Sequence, residues 1–189
     1  MPKLYLIGTP GIFLRQINHL AESLDYQPHV CATPEAVPNT AEAVFVCSED
    51  PAQRVTTVHA CSHLPIINLI HPSAVISPTA QLGLNIFADA LVIIGMQAQL
   101  GDGVVLNSRA TVEHDNVLKD GVFLGTGATL CGHVQIDAGA FLGGGITVKP
   151  GCHIHQEITV GTGAVVVNDL TEAGTYVGNP AKRLFKNTP

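Results

Sequence analysis

Charged side chains are scarce in this sequence: Asp, Glu, Lys and Arg make up 13% of residues, against 46% hydrophobic, and mean hydropathy is +0.31. A chain so poor in charge keeps apolar surface that one copy cannot bury, which predicts association with further copies of itself. Positive charge is the rarer sign, with Lys+Arg 9 against Asp+Glu 15 and a formal net charge of -6. This balance excludes a general affinity for nucleic acid or for an anionic membrane surface, both of which select basic faces. No stretch approaches the ~18 apolar residues of a membrane span, so membrane insertion is not expected. The apolar start from Leu4 to Ile7 is too short for a signal peptide and runs into a glycine turn. The cysteines (Cys31, Cys47, Cys61, Cys131 and Cys152) are odd in number and form no C-x-x-C pair. They are expected to be reduced thiols in a cytoplasmic protein.

What the chain has instead is a period. A branched aliphatic residue recurs at every sixth position through Ile94, Leu100, Leu106, Val112, Leu118, Leu124, Leu130, Ile136, Leu142, Val148, Ile154, Val160 and Val166. Four places after each of these stands a small or apolar residue, as at Ala98, Val104, Ala110, Val122 and Ala128, with Asn116 the exception. A helix repeats every 3.6 residues and an amphipathic strand every 2, so neither gives this spacing. A parallel β-solenoid of hexapeptide units does, each unit giving a short strand and a bend. Glycine, Asn and Asp fall where the bends need permissive dihedrals. The register begins at Ile70, Ile76 and Leu82 and reads as slipping at Ala88.

Residues 1–69 have a different texture. Lys3 to Gly8 reads as a buried strand, Ile12 to Leu24 as a helix with Ile17, Leu20, Ala21 and Leu24 on one face, and Gln27 to Ala32 as a second strand. A third strand is predicted over 43–47, a helix from about Pro51 to Cys61, and a fourth strand over 65–70. This is a small αβ domain with a parallel sheet of three or four strands, placed to cap the first coil of the solenoid in residues 70–189. Gly8, Thr9 and Gly11 form a glycine turn after the first strand, a place where a phosphate can meet a helix N-terminus. A bare strand-to-helix connection satisfies the same residues.

The runs Val112-Glu-His-Asp-Asn-Val117, Leu124-Gly-Thr-Gly-Ala-Thr-Leu-Cys-Gly132 and Gly178-Asn-Pro-Ala-Lys-Arg183 resemble the bacterial sugar acyltransferases of the NeuD/PglD type. The resemblance spans essentially the whole chain and implies a Rossmann-like N-terminal domain followed by a left-handed parallel β-helix. It also implies a homotrimer with acetyl-CoA between adjacent helices and no metal. The expected reaction is acetylation of the amino group of a UDP-4-amino sugar, or of a sugar hydroxyl. By position His114 matches the family's catalytic histidine, whose imidazole can take the nucleophile's proton. Asp115 follows it where the family has an acidic residue, with Glu113 as the other candidate for orienting the ring. Gly132 matches the position whose N–H faces the thioester carbonyl. Gly127, Lys182 and Arg183 fall where the cofactor is approached, and Gly8, Thr9 and Gly11 where the sugar nucleotide is held. The chain departs from the family in the residues after Gly11, in lacking an acidic pair after the second strand, and in having Phe123 where some members place a second histidine. His133, His153 and His155 invite a zinc hydratase as the rival reading, but they fall at different places in the hexapeptide. A non-catalytic trimeric scaffold is the third.

Overall fold

The computed structural model describes residues 1–185. It opens with strand β1 (Lys3–Gly8), helix α1 (Ile12–Ser23), strand β2 (Gln27–Cys31), a short 3-10 turn at Pro34–Ala36, strand β3 (Val44–Cys47) and helix α2 (Pro51–Ala60). The three strands form a parallel sheet in the order β2, β1, β3. Helix α1 buries Phe13, Leu14, Ile17, Leu20 and Ala21, the spacing expected of one helical face. Helix α2 starts at Asp50, whose side chain accepts the Gln53 N–H at 2.8 Å, with Pro51 following at a position where its missing N–H has no cost.

The expected fourth strand does not join this sheet. Ile66 makes a single parallel bridge to Val44, and Leu69–Ile70 pairs with Phe87–Ala88 instead. Pro65 has no N–H for a ladder and contributes only its carbonyl, to Val44 N at 3.0 Å. The edge of β3 is closed by Asn85, fully buried, whose amide accepts from Val46 N at 2.7 Å and donates to Val46 O at 3.1 Å. A side-chain amide thus completes the hydrogen bonding of an edge strand.

From Leu69 the chain winds as a parallel β-solenoid. Each coil of 18 residues gives one two-residue strand to each of three sheets, as in the pairings Val105 to Phe123, Thr111 to Thr129 and Val117 to Gln135. The first sheet starts at Leu69–Ile70, the second at Val75–Ile76 and the third at Gln81–Leu82. The aliphatic residues of the sixfold register and the small residues between them form the core. At the corners one residue in six has a left-handed φ, from Asn85 to Gly163. Half of these are glycine, which adopts such a φ without steric cost. Ala88 does not mark a slip: it pairs in register with both Ile70 and Leu106, a small residue in an unbroken ladder.

The αβ unit does not sit on the end of the solenoid as expected. Leu4, Leu6, Phe13 and Phe45 share a core with Leu69, Phe87 and Val105, the outward residues of the first sheet. The unit therefore lies along a side face, with the large apolar residues Leu69, Phe87 and Val105 of that face buried beneath it. The first coil stays partly open, with Ile70, Ile76 and Leu82 only half-buried. At the corner between the third and first sheets, Arg54 of α2 is buried completely and donates to Gly103 O at 2.7 Å, Gly121 O at 3.0 Å and Ser48 O at 2.6 Å. At the other end Gly174–Val177 extends the first sheet, and Lys182–Arg183 pairs antiparallel with it. No helix among the described residues is long and apolar enough to cross a membrane.

Candidate active site

The corner between the second and third sheets carries His114 and Asp115, between strands Thr111–Val112 and Val117–Leu118. Asp115 has φ 58, and its carboxylate meets His114 Nδ1 at 2.7 Å. With Nδ1 held by a carboxylate, Nε2 is left to exchange a proton with a substrate. One coil later the same corner carries Gly132 and His133, at Asp115 + 18 for the histidine. His133, with φ 60, packs edge-to-face on the His114 ring at 5.2 Å, and its Nε2 lies 3.8 Å from the Asp115 carboxylate. One carboxylate thus faces two imidazoles. The sequence reading matched the family's second histidine to the Phe123 position and weighed His133 only as a zinc ligand, at a different place in the hexapeptide from His114; the structure brings the two rings together, and the 18-residue coil, three hexapeptides long, was the signal for it.

Asn116 explains its break with the small-apolar rule. It is fully buried, and its Oδ1 accepts the Val134 N–H at 2.6 Å. In other turns that N–H goes to the carbonyl three residues back, as from Ala128 to Gly125 at 3.0 Å. Asn116 therefore ties the turn bearing Gly132 and His133 to the turn bearing His114 and Asp115.

Gly132 is small for a definite reason. A Cβ there would lie 2.5 Å from His114 Cε1 and 2.6 Å from Nε2, well inside contact distance, so the imidazole rests directly on the glycine. Gly132→Ala is expected to turn the ring off its present position and lower turnover about 10- to 100-fold, the cost of misplacing a reacting group by about 1 Å. Steady-state kinetics beside an unchanged circular-dichroism spectrum checks this, and unaltered kcat would remove the packing argument.

The other expected site residues scatter. Glu113 is exposed and, among the described residues, bonds to neither imidazole; the orienting carboxylate is Asp115. Gly127, with φ 68, occupies the next corner, between the first and second sheets. Lys182 is exposed, whereas Arg183 is bound within the chain to the Glu172 carboxylate and to Ala173 O. Neither reaches the His114 corner, because both extend the first sheet.

Gly8, Thr9 and Gly11 line a cleft of about 550 Å³ at the carboxyl ends of β1, β2 and β3, with Thr33, Ser48, Glu49, Asp50, Gln53 and Thr57. That is where parallel αβ sheets hold ligands. Gly8 is needed for packing, since a Cβ would lie 2.4 Å from Cys47 O. The N-terminus of α1 already meets an anion: Glu49 Oε1 accepts Phe13 N–H at 3.3 Å. Burial pushes the Cys47 thiol of this cleft up, so it stays protonated.

The cleft and His114 lie on opposite sides of one chain. The αβ unit covers the first sheet, and the His114 corner is the vertex between the other two.

Comparison with solved structures finds the same architecture over nearly the whole chain. PerB from Caulobacter crescentus, in complex with CoA and GDP-perosamine, is 27% identical, with a TM-score of 0.89 and coverage of 98% of both chains. The acetyltransferase domain of PglB from Neisseria gonorrhoeae, in complex with acetyl coenzyme A, is 26% identical, with a TM-score of 0.89 over 96% of this chain and 98% of that one. WeeI from Acinetobacter baumannii, 19% identical with a TM-score of 0.85 over 97% of this chain and 100% of that one, agrees in fold. No family model matches the chain, and a search of curated proteins finds no match. The likeness read from the motifs around His114 is borne out by these neighbours.

Proposed function

We propose that this chain transfers the acetyl group of acetyl-CoA to the amino group of a nucleotide-linked amino sugar. The observation that carries the proposal is His114 held by Asp115 at 2.7 Å with Gly132 beneath its ring, on a fold shared with acetyltransferases bound to CoA. His114 takes the proton of the attacking amine as nitrogen bonds to the thioester carbon. Asp115 holds the ring's tautomer and favours the imidazolium. The Gly132 N–H steadies the oxyanion. As the C–S bond breaks, CoA leaves as a thiol carrying the proton returned by His114.

In this reading the solenoid from residue 70 is a left-handed β-helix, the last four residues of the proposed 70–189 domain lying outside the described residues, and residues 1–69 are a Rossmann-like domain whose cleft holds the sugar nucleotide at Gly8, Thr9 and Gly11. Because Glu49 caps α1, the diphosphate is held away from that helix end, and the rim from Ser48 to Thr57 contacts base and ribose. A substrate anchored there reaches a His114 only on a neighbouring copy, so the working unit is a homotrimer. Exposed Ile93 on the second sheet and Met96 at the His114 corner, 43% and 58% accessible, with Leu91, 57% accessible, at the corner between the first and second sheets, favour cover by a second protomer. Gly127, Lys182 and Arg183 contact the cofactor from that neighbour, and the enzyme works in the cytoplasm. A zinc hydratase is the second reading, favoured by the convergence of His114, Asp115 and His133 donor atoms within 4.8 Å.

The test is thiol release from acetyl-CoA with UDP- and GDP-linked amino sugars and with free sialic acid, in the presence and absence of a chelator. Release with a nucleotide amino sugar, unchanged by chelator, is expected. Release with none of them, or loss on chelation, would overturn the reading.

A further inference from the structure

A second histidine cluster lies on the third sheet. His153 and His155 are two residues apart around the strand His153–Ile154, so both project outward while Ile154 is buried. One coil earlier Asp137 follows strand Gln135–Ile136, which pairs in register with His153–Ile154. His153 Nε2 lies 3.0 Å from Asp137 Oδ1, and His155 Nδ1 lies 3.8 Å from Asp137 Oδ2. The two rings stack at 4.1 Å, and all three residues offer donor atoms within 4.8 Å of one another. The His153 N–H donates to Asp169 Oδ1 at 2.9 Å, which fixes the strand from the following coil.

We propose that Asp137, His153 and His155 form a binding site for a divalent transition-metal cation of the zinc, cobalt or nickel class, separate from the His114 corner. Metal–nitrogen and metal–carboxylate bonds of about 2.0–2.2 Å put tetrahedral donors about 3.4 Å apart. The distances of 3.0 and 3.8 Å bracket that value, so an ion enters with small ring rotations. The sheet ladder holds the backbone of all three ligands, and no segment has to order. Two imidazoles and one carboxylate select borderline cations over magnesium or calcium, which take oxygen ligands. The side chains are 33%, 41% and 32% accessible for His153, His155 and Asp137, which leaves the remaining coordination positions to water.

The experiment titrates Co²⁺ into the chelator-stripped full chain carrying His114→Ala and His133→Ala, which removes the other cluster. One equivalent with visible d–d absorption is expected, and adding His155→Ala or Asp137→Ala weakens it at least about tenfold. In the otherwise unaltered chain, Asp137→Ala is expected to remove one equivalent of bound zinc while acetyl transfer continues. No Co²⁺ uptake by the first variant, or uptake and zinc content unchanged by Asp137→Ala, would show a hydrogen-bonded surface cluster only and overturn the site. Loss of acetyl transfer in Asp137→Ala would overturn its separateness.

Discussion

Replacing His114 with alanine is expected to lower acetyl transfer by about 10² to 10⁴, the range for loss of a general base, or about 3–5 kcal/mol of barrier. The loss should fall on kcat, because a proton acceptor acts when nitrogen bonds to the thioester carbon and contributes little to holding acetyl-CoA. His133→Ala is the informative control. His133 lies 3.8 Å from Asp115, while His114 has the 2.7 Å bond, so its removal leaves the oriented ring in place and costs far less. If the two variants lose activity equally, the base is not His114 alone, and if His114→Ala turns over normally the mechanism fails. Folding should be unchanged in both, since both side chains are substantially exposed within the chain, at 44% and 66%.

Arg54→Met is expected to lower stability by about 2–4 kcal/mol, as measured by the denaturant midpoint. The guanidinium is fully buried and, among the described residues, has no carboxylate in hydrogen-bond reach; its acceptors are backbone carbonyls at Ser48, Gly103 and Gly121, with Glu49 O at 3.5 Å. Burial pulls its pKa down to about 10, still far enough above neutrality for the group to stay charged. Removing it relieves a buried charge but orphans carbonyls on α2's side and on two successive coils, and the second effect wins because these acceptors are shut off from water. Arg54→Lys keeps the charge but cannot fork to both coils, so an intermediate loss is expected. A shift under about 0.5 kcal/mol for Arg54→Met would show that the apolar contacts of Phe87 and Val105 hold the two units without it.

Much of this molecule is written in one-dimensional order. The sixfold recurrence from Ile94 to Val166 translates directly into strands and corners, because each hexapeptide repeats the same local geometry and meets only its neighbours. The helix at Ile12–Ser23 was legible from its face spacing and that at Pro51–Ala60 from Pro51 at its start. Asn116 stood out as a break in pattern, although its partner, the Val134 N–H, did not. Arg54 gave no signal at all: an arginine in a short helix is ordinarily a solvated one, and its carbonyl partners on the solenoid are 49 and 67 residues away. The segment after Pro65 was misjudged because an apolar run fits either sheet, and the competition was settled by Phe87 offering Leu69 a register partner.

The sequence alone determined the solenoid, its period and the αβ unit before it, since each of these follows from residues within a few positions of one another, whereas His114 with Asp115 was singled out by the family resemblance. Tertiary structure decided what 18-residue coiling brings together: His133 over Asp115, Gly132 under the His114 ring, Asp137 beside His153 and His155. It also decided that the αβ unit bearing the Gly8 cleft covers the first sheet while His114 sits at the corner between the other two. Those relations depend on the number of residues per coil and on which face the αβ unit covers, and both are set by packing across the chain.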